Sequence, residues 1–344
     1  MRYISIENAK PGMKLGKTIF DEMNRILLLE NSILSEEYIV RLIARGYPGL
    51  YIEDEFSEGI VIDEVIPVEL RNKSAEAVKE CDIDKLQDIA VDIVESILSN
   101  ENSISLDVMD LRTYDNYTYK HSVNVAVIAS IIAMYLEFDH EEIVDVCLTG
   151  LLHDMGKTKI DPDIINKPAR LTDEEFDIVR NHSRYSYELL QDNWTISSKV
   201  RQGVLHHHEN EDGSGYPDKL AGDDIPIYSK IIHVADVYDA LTSKRPYKKP
   251  FALSEAMEYI MGGGNSLFDI NIVNTFVRSV PVYPKGTEIF LSNGEGGIVV
   301  SNTSNSLRPV VRLYDSKKEI NLNEDKRYMN VTVAPNTVYD RNHT

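Results

Sequence analysis

Apolar and polar residues follow three different textures along the chain. Over the first 66 residues the apolar runs are short. Lys14–Phe20 and Ile26–Glu30 read as strands with a polar turn between them. Ser35–Arg45 reads as an amphipathic helix ended by Gly46, and Gly49–Glu53 as a further strand. This is the pattern of a small α+β module. Residues 67–100 are charged and helical, with Leu86, Ile89, Ala90, Ile93, Val94, Ile97 and Leu98 on one face. That face either packs on the next domain or forms a dimer.

From residue 101 to 284 the period is almost wholly helical. Asp139 with Glu142, and Thr172 with Glu175, have the spacing of helix-start boxes, and Gly156 follows an apolar helix as a stop signal. After Pro284 the runs become short and strand-like: Glu288–Leu291, Gly297–Val300, Val310–Leu313 and Val331–Val333, separated by Gly, Asn and Ser. The expected architecture is mainly α: a helical-bundle domain at 101–284, preceded by an α+β module at 1–66 and a helical linker at 67–100. A small β-rich module at 285–344 follows it. No internal repeat or low-complexity segment interrupts this order.

Composition narrows the function classes. Of 344 residues 42% are hydrophobic, enough for a core. The longest apolar run, Val123 to Leu136, is too short to span a bilayer, and the N-terminal residues lack a signal-peptide pattern, so no membrane partner is expected. The two cysteines, Cys81 and Cys147, lie far apart in helix-like stretches and read as reduced and buried, which points to the cytoplasm. A net charge of −20 argues against DNA or RNA binding. An anionic substrate would need a local positive site. Bound metal ions could supply it, with the cluster Lys244, Arg245, Lys248 and Lys249 adding to it.

The central segment carries a dispersed series of metal-ligand types: His121, His153-Asp154, His182, His206-His207-His208 and Asp236. Each sits in, or at the end of, a separate helix-like stretch, and a bundle can point such side chains at one locus. Taken singly, each admits a plainer reading. His153-Asp154 lies in an apolar helix, where unpaired polar groups are costly; either a structural pair or a metal removes that cost. The three histidines are a solvated helix end or a ligand set, and the loop after them, with Gly213, Gly215 and Pro217, is an ordinary turn or a shaped one. Asp236 and Asp239 share a helix face, as a solvated stripe or as site residues. Gly150 to Thr158 is not a phosphate-binding loop, because its spacing is one residue too long and a helix precedes it.

Together the blocks resemble the HD-GYP family, a branch of the HD phosphohydrolases, over roughly residues 101–284. They are Asp115-x-Tyr117-Thr118-Tyr119-x-His121-Ser122-x-Asn124, then His153-Asp154-Met155-Gly156-Lys157, then His207-His208-Glu209-x-x-Asp212-Gly213-Ser214-Gly215-Tyr216-Pro217. Asp236-Val237-Tyr238-Asp239-Ala240-Leu241-Thr242 with Arg245-Pro246-Tyr247 completes the set. The resemblance implies an HD-type helical bundle holding divalent metal ions. It implies one ion on His121, His153, Asp154 and Asp236 and another on Asp154, His182, His207 and His208, with Asp154 bridging and His206 only a neighbour. Some members add a third ion through a glutamate four residues before the first histidine. Tyr117 stands there, so two ions are expected. Imidazole and carboxylate donors without thiolate suit iron or manganese and tolerate zinc, nickel or cobalt.

The implied activity is a phosphodiesterase opening cyclic di-GMP, with pGpG or GMP as the final product, by attack of a metal-bridging hydroxide. Lys157 is expected on a non-bridging phosphate oxygen, and Arg245 and Lys248 on the second phosphate or a guanine. Asp239 would protonate the leaving 3′ oxygen or, in the preferred reading, order a metal ligand. The Gly215-Tyr216-Pro217 loop would shape the mouth or a partner surface. The alternatives are a hydrolase of another cyclic dinucleotide such as cyclic GMP-AMP, a non-catalytic cyclic dinucleotide receptor, and an adaptor acting through the terminal modules.

Overall fold

The structure is a computed structural model and describes residues 1–21, 25–47, 49–62, 64–99, 117–167, 169–243 and 251–334. They divide into two compact units, one of residues 1–64 with 280–334, the other of residues 65–99 with 117–279. Arg245 and Lys248, with Lys244 and Lys249, lie outside the described residues, as does Asp115.

In the first unit β1 (Arg2–Ser5), β5 (Gly49–Glu53) and β2 (Lys14–Leu15) form an antiparallel sheet with β5 central, and β3 (Ile19–Phe20) pairs with β4 (Ile26–Leu28). The expected strand Lys14–Phe20 is thus two short strands, each in a different sheet. Helix α1 (Glu36–Ala44) starts at Ser35, whose hydroxyl caps the Tyr38 amide. Strands β6 (Glu288–Phe290), β7 (Gly296–Ser301), β8 (Val310–Leu313) and β9 (Glu319–Asn321) form an antiparallel meander. Val331–Val333 is not a strand; it contributes one isolated bridge, Leu291 to Val333. The two sequence ends belong to one core. Tyr51, Ile60 and Ile62 pack with Ile298 and Tyr314. The Arg2 guanidinium, buried, lies between Asp54 and Glu288, and Arg312 donates to the carbonyls of Phe56 and Glu58 at 3.2 and 2.6 Å. Burying an arginine is tolerable because both partners are charged acceptors.

The second unit is helical. Helices α2 (Val68–Glu80) and α3 (Ile83–Ser99) are separated at Cys81, which adopts a left-handed conformation with φ of 53°. Leu86, Ile89, Ala90, Ile93 and Val94 are fully buried in this unit, where α2 packs on α4 (Tyr117–Tyr135) and α3 on α5 (His140–Leu152). The apolar face of 67–100 is therefore covered by its own unit, each Leu, Ile or Val gaining about 1.5–3 kcal/mol of burial, and is not open to a dimer partner. Further helices are α6 (Pro162–Ile165), α7 (Asp173–Arg180), α8 (His182–Leu190), α9 (Ser198–Leu205), α10 (Ile227–Thr242), α11 (Leu253–Gly262) and α12 (Ile270–Ser279). Asp139 caps α5 on the Glu142 amide at 2.9 Å, and Thr172 with Glu175 closes a reciprocal capping box on α7. Among the described residues no helix is long and apolar enough to cross a membrane.

Two expectations need correction. Cys147 is buried, and burial pushes its thiol up to about 12, but Cys81 is only half-buried. Helix α5 ends at Leu152, before Gly156, which lies in a short 3-10 turn. The glycine is there because a Cβ would stand 2.1 Å from the His182 carbonyl oxygen and 2.4 Å from the Ser186 amide nitrogen.

Candidate metal centre

Five helices or their ends deliver the site. His121 projects from α4, His153 and Asp154 follow α5, His182 opens α8, His207 and His208 follow α9, and Asp236 lies within α10. All of the site residues expected from the sequence in the described region therefore converge, and all but the partly exposed His208 and Lys157 are buried.

The backbone fixes which ring nitrogen faces inward. His153, His182 and His207 each donate Nδ1–H to the carbonyl three residues earlier, on Gly150, Val179 and Val204, all at 2.7 Å. Their Nε2 lone pairs must then point into the centre, because a neutral imidazole carries one proton. The Nε2 atoms of His207 and His208 each lie 3.2 Å from that of His182. His182 and His207 thus meet lone pair to lone pair, which is repulsive unless a cation takes both. The Nε2 of His153 and Oδ1 of Asp154 are buried without a hydrogen-bond partner. Orphaned buried acceptors of this kind cost several kcal/mol, about 1–3 each, and are what metal coordination satisfies. The donors fall into groups able to hold an ion: His182 with His207 and His208, His121 with His153 and Asp236, and His153 with Asp154 and His207. Asp154 turns Oδ2 to His153 at 3.4 Å and His121 at 3.7 Å, and Oδ1 to His182 at 3.4 Å. One carboxylate thereby addresses both sides. The residues fit divalent cations.

The electrostatics agree. Burial holds His182 down to about 4 and His207 and His208 well below the usual imidazole range, so these rings are neutral ligands at pH 7. Burial also opposes a charge on His121, but hydrogen bonds with Asp236 and Asp239 outweigh it and lift the ring to about 9. Burial alone would raise Asp154; the Lys157 ammonium, then His153, hold it well below the carboxylate range. Lys157, expected on a phosphate oxygen, here pairs with Asp154.

Asp239 does not face open space. Its Oδ2 meets His121 Nδ1 at 2.6 Å, and its Oδ1 accepts from Asn124 at 2.9 Å and Ser243 at 3.2 Å. Both Asp236 and Asp239 are buried, so the solvated-stripe reading fails. His206 is turned away, with Nε2 on Asp218 at 3.0 Å. The loop after it folds back: the Glu209 carboxylate accepts the Asp218 amide at 2.7 Å, and a Cβ on Gly215 would collide with the backbone of His208, Glu209 and Asn210 within 2.5 Å. Tyr216 consequently stacks on His208, ring centres 4.7 Å apart and planes at 29°. Sequence reasoning missed the work of Asn124, Ser186 and Glu209. Ser186 ties the Gly156 amide to the His153 carbonyl, and its place four residues after His182, on the same helix face, was the available signal.

Comparison with known proteins agrees with this geometry. The HD domain profile matches residues 95–272, more than half of the chain. A cyclic di-GMP phosphodiesterase of Pseudomonas aeruginosa is 39% identical over 232 residues, 67% of this chain and 56% of that protein. A 3′3′-cGAMP-specific phosphodiesterase of Vibrio cholerae is 39% identical over 128 residues, 37% of this chain and 24% of that one. The chain thus spans about half of the first relative's length and a quarter of the second's. An HDG"Y"P protein from Bdellovibrio bacteriovorus shares the fold, with a TM-score of 0.53 at 17% identity, over 80% of this chain and 97% of that one. On the profile match and the blocks at His153-Asp154 and Gly215-Tyr216-Pro217, the chain belongs to the HD domain family, in its HD-GYP branch.

Proposed function

We propose that the chain is a metal-dependent phosphodiesterase that opens cyclic di-GMP, ending at linear pGpG or at GMP. The observation that carries this reading is the meeting of buried imidazole Nε2 atoms beside Asp154, a donor set that metal coordination would satisfy. Two ions, iron or manganese, would sit on His121, His153, Asp154 and Asp236 and on Asp154, His182, His207 and His208. When bound, such ions would lower the pKa of a water far toward neutrality and neutralise the phosphate.

The chain's own groups then divide the work. Asp154 and the imidazoles would hold the ions, and Asp239 holds the ring of His121 by its Nδ1 proton. Lys157, beside Asp154, exchanges that partner for a non-bridging phosphate oxygen, where its charge offsets the charge that develops in the transition state. Hydrolysis adds water across the P–O3′ bond: an oxygen joins phosphorus, the 3′ oxygen leaves, and it takes up one proton. Asp239, with both oxygens engaged, serves as a positioning residue rather than the proton donor. Arg245 and Lys248 would bind the second phosphate or a guanine.

The test is turnover by protein purified without oxygen and loaded with iron or manganese, in competition between cyclic di-GMP and cyclic GMP-AMP. Conversion of cyclic di-GMP, abolished by Asp154→Ala, supports the proposal. Preference for cyclic GMP-AMP would favour a second reading, for which the Vibrio relative speaks. Binding without turnover in the fully loaded protein would leave a receptor.

A further inference from the structure

Resting on the reading of this site as a metal centre, we propose that Lys230 is a positioning residue for His208. It fastens the loop that carries Tyr216, and Tyr216 sets the plane of the His208 ring. Three of the ligand histidines are fixed by their own backbone. His153, His182 and His207 each have Nδ1 on a carbonyl three residues earlier. His208 is held differently. Among the described residues its Nδ1 has no carbonyl partner, and Asp236 stands 3.9 Å away. The ring instead lies against Tyr216, with centres 4.7 Å apart and planes at 29°.

A stacked ring orients its neighbour only if its own loop is rigid. Residues 209–217 are tied to the segment before α12: the amides of Glu211 and Asp212 donate to the carbonyls of Leu267 and Ser266 at 3.3 and 2.9 Å. That segment is itself fixed. Phe268 is buried against His233 of α10, ring centres 4.9 Å apart. Asp269 caps α12 by accepting the amides of Asn271 and Ile272 at 2.7 and 3.2 Å. Lys230, on α10 and buried, joins the two. Its ammonium lies 3.2 Å from the Glu211 carboxylate and 3.0 Å from that of Asp269. All three groups are largely withdrawn from water, so removing the cation leaves two carboxylates without their counter-ion, a far larger cost than breaking a surface pair. Lys230 also lies six residues before Asp236 on the same helix, so the loop is locked to the element that carries another ligand.

The experiment titrates the metal-free protein with Mn²⁺ by calorimetry, in wild type, Lys230→Met, Lys230→Arg, Tyr216→Leu and the double variant of Lys230→Met with Tyr216→Leu. The binding step lost in His208→Ala identifies the ion held by His182, His207 and His208. Lys230→Met should weaken that ion about tenfold, the size usual when a ligand loses its outer support, and should leave the ion on His121, His153 and Asp236 within about twofold of wild type. Arginine should restore most of the loss, because it keeps a cation between both carboxylates. Since Lys230 acts through Tyr216, the double variant should lose no more than the larger single loss. Hydrogen exchange should speed up at residues 211–217 while α4 and α5 stay as protected as in wild type. Should Lys230→Met not fold, Glu211→Gln, which removes the loop's own carboxylate and leaves Lys230 paired with Asp269, carries the same comparison with Tyr216→Leu. Equal weakening of both ions, losses that add in the double variant, or wild-type affinity would overturn the assignment. If wild type shows no Mn²⁺ step that His208→Ala removes, the metal reading itself fails, and that result is seen before any Lys230 variant is compared.

Discussion

Asp239 lies 2.6 Å from Nδ1 of His121 and is itself held on its other oxygen by Asn124 and Ser243. The carboxylate fixes both the orientation of the ring and the position of its proton, leaving Nε2 to face Asp236 and Asp154.

Asp239→Asn keeps the shape but offers His121 an amide in place of a carboxylate. Metal affinity and turnover should each fall on the order of 10- to 100-fold. Calorimetric titration of the metal-free protein with Mn²⁺ checks this. Unchanged affinity would mean that the ring is oriented by packing alone.

Gly156→Ala should destabilise the helical unit by about 1–3 kcal/mol, because the new methyl has backbone rather than flexible side chain against it. The shift separates the His153-Asp154 turn from α8, so metal binding should weaken in the same variant. Urea unfolding with and without Mn²⁺ reads both effects; a variant as stable as wild type is the contrary result.

The metal-free protein should be most stable near pH 6.5. Burial holds His182 and His233 at about 4, below the unfolded value of about 6.5. Between these values the unfolded chain binds protons that the folded one refuses, so their contribution is whole above pH 6.5 and is lost as pH falls through 4. For His233 this amounts to roughly 3 kcal/mol at most. His121, lifted to about 9 against the pull of burial by Asp236 and Asp239, works in the opposite direction. Its contribution is whole below pH 6.5 and is lost as pH rises through 9. Urea midpoints from pH 4 to 9 should trace a peak, and His233→Gln should flatten its acid limb. A midpoint that keeps rising as pH falls below 6 would contradict the assignment.

Deleting residues 285–344 should unfold the N-terminal strands as well. Tyr51, Ile60 and Ile62 would lose Ile298 and Tyr314, and buried Arg2 would lose Glu288, a loss that strands a charge. Hydrogen exchange should show β1 and β5 unprotected while α10 stays protected. Protected amides in both would mean that the N-terminal module folds alone.

The sequence by itself determined the local features: the caps at Asp139 and Thr172, the apolar face of α3, and, through the ordered HD and GYP blocks, the residues that meet at the centre. Such signals lie within a turn or two of helix, where residue chemistry and spacing act directly. Tertiary structure decided what depends on distant neighbours. The lone-pair encounter of His182 and His207 requires α8 and the end of α9 to converge, and no spacing of 25 residues encodes that. The turning of His206 to Asp218 depends on how the Gly215 loop folds back. Gly156 looked like a helix stop but is a close approach to His182, visible only once two helices are packed. The two ends of the chain, which read as separate modules, share a core because Tyr51 and Ile298 complete each other's burial, a fact of space rather than of period.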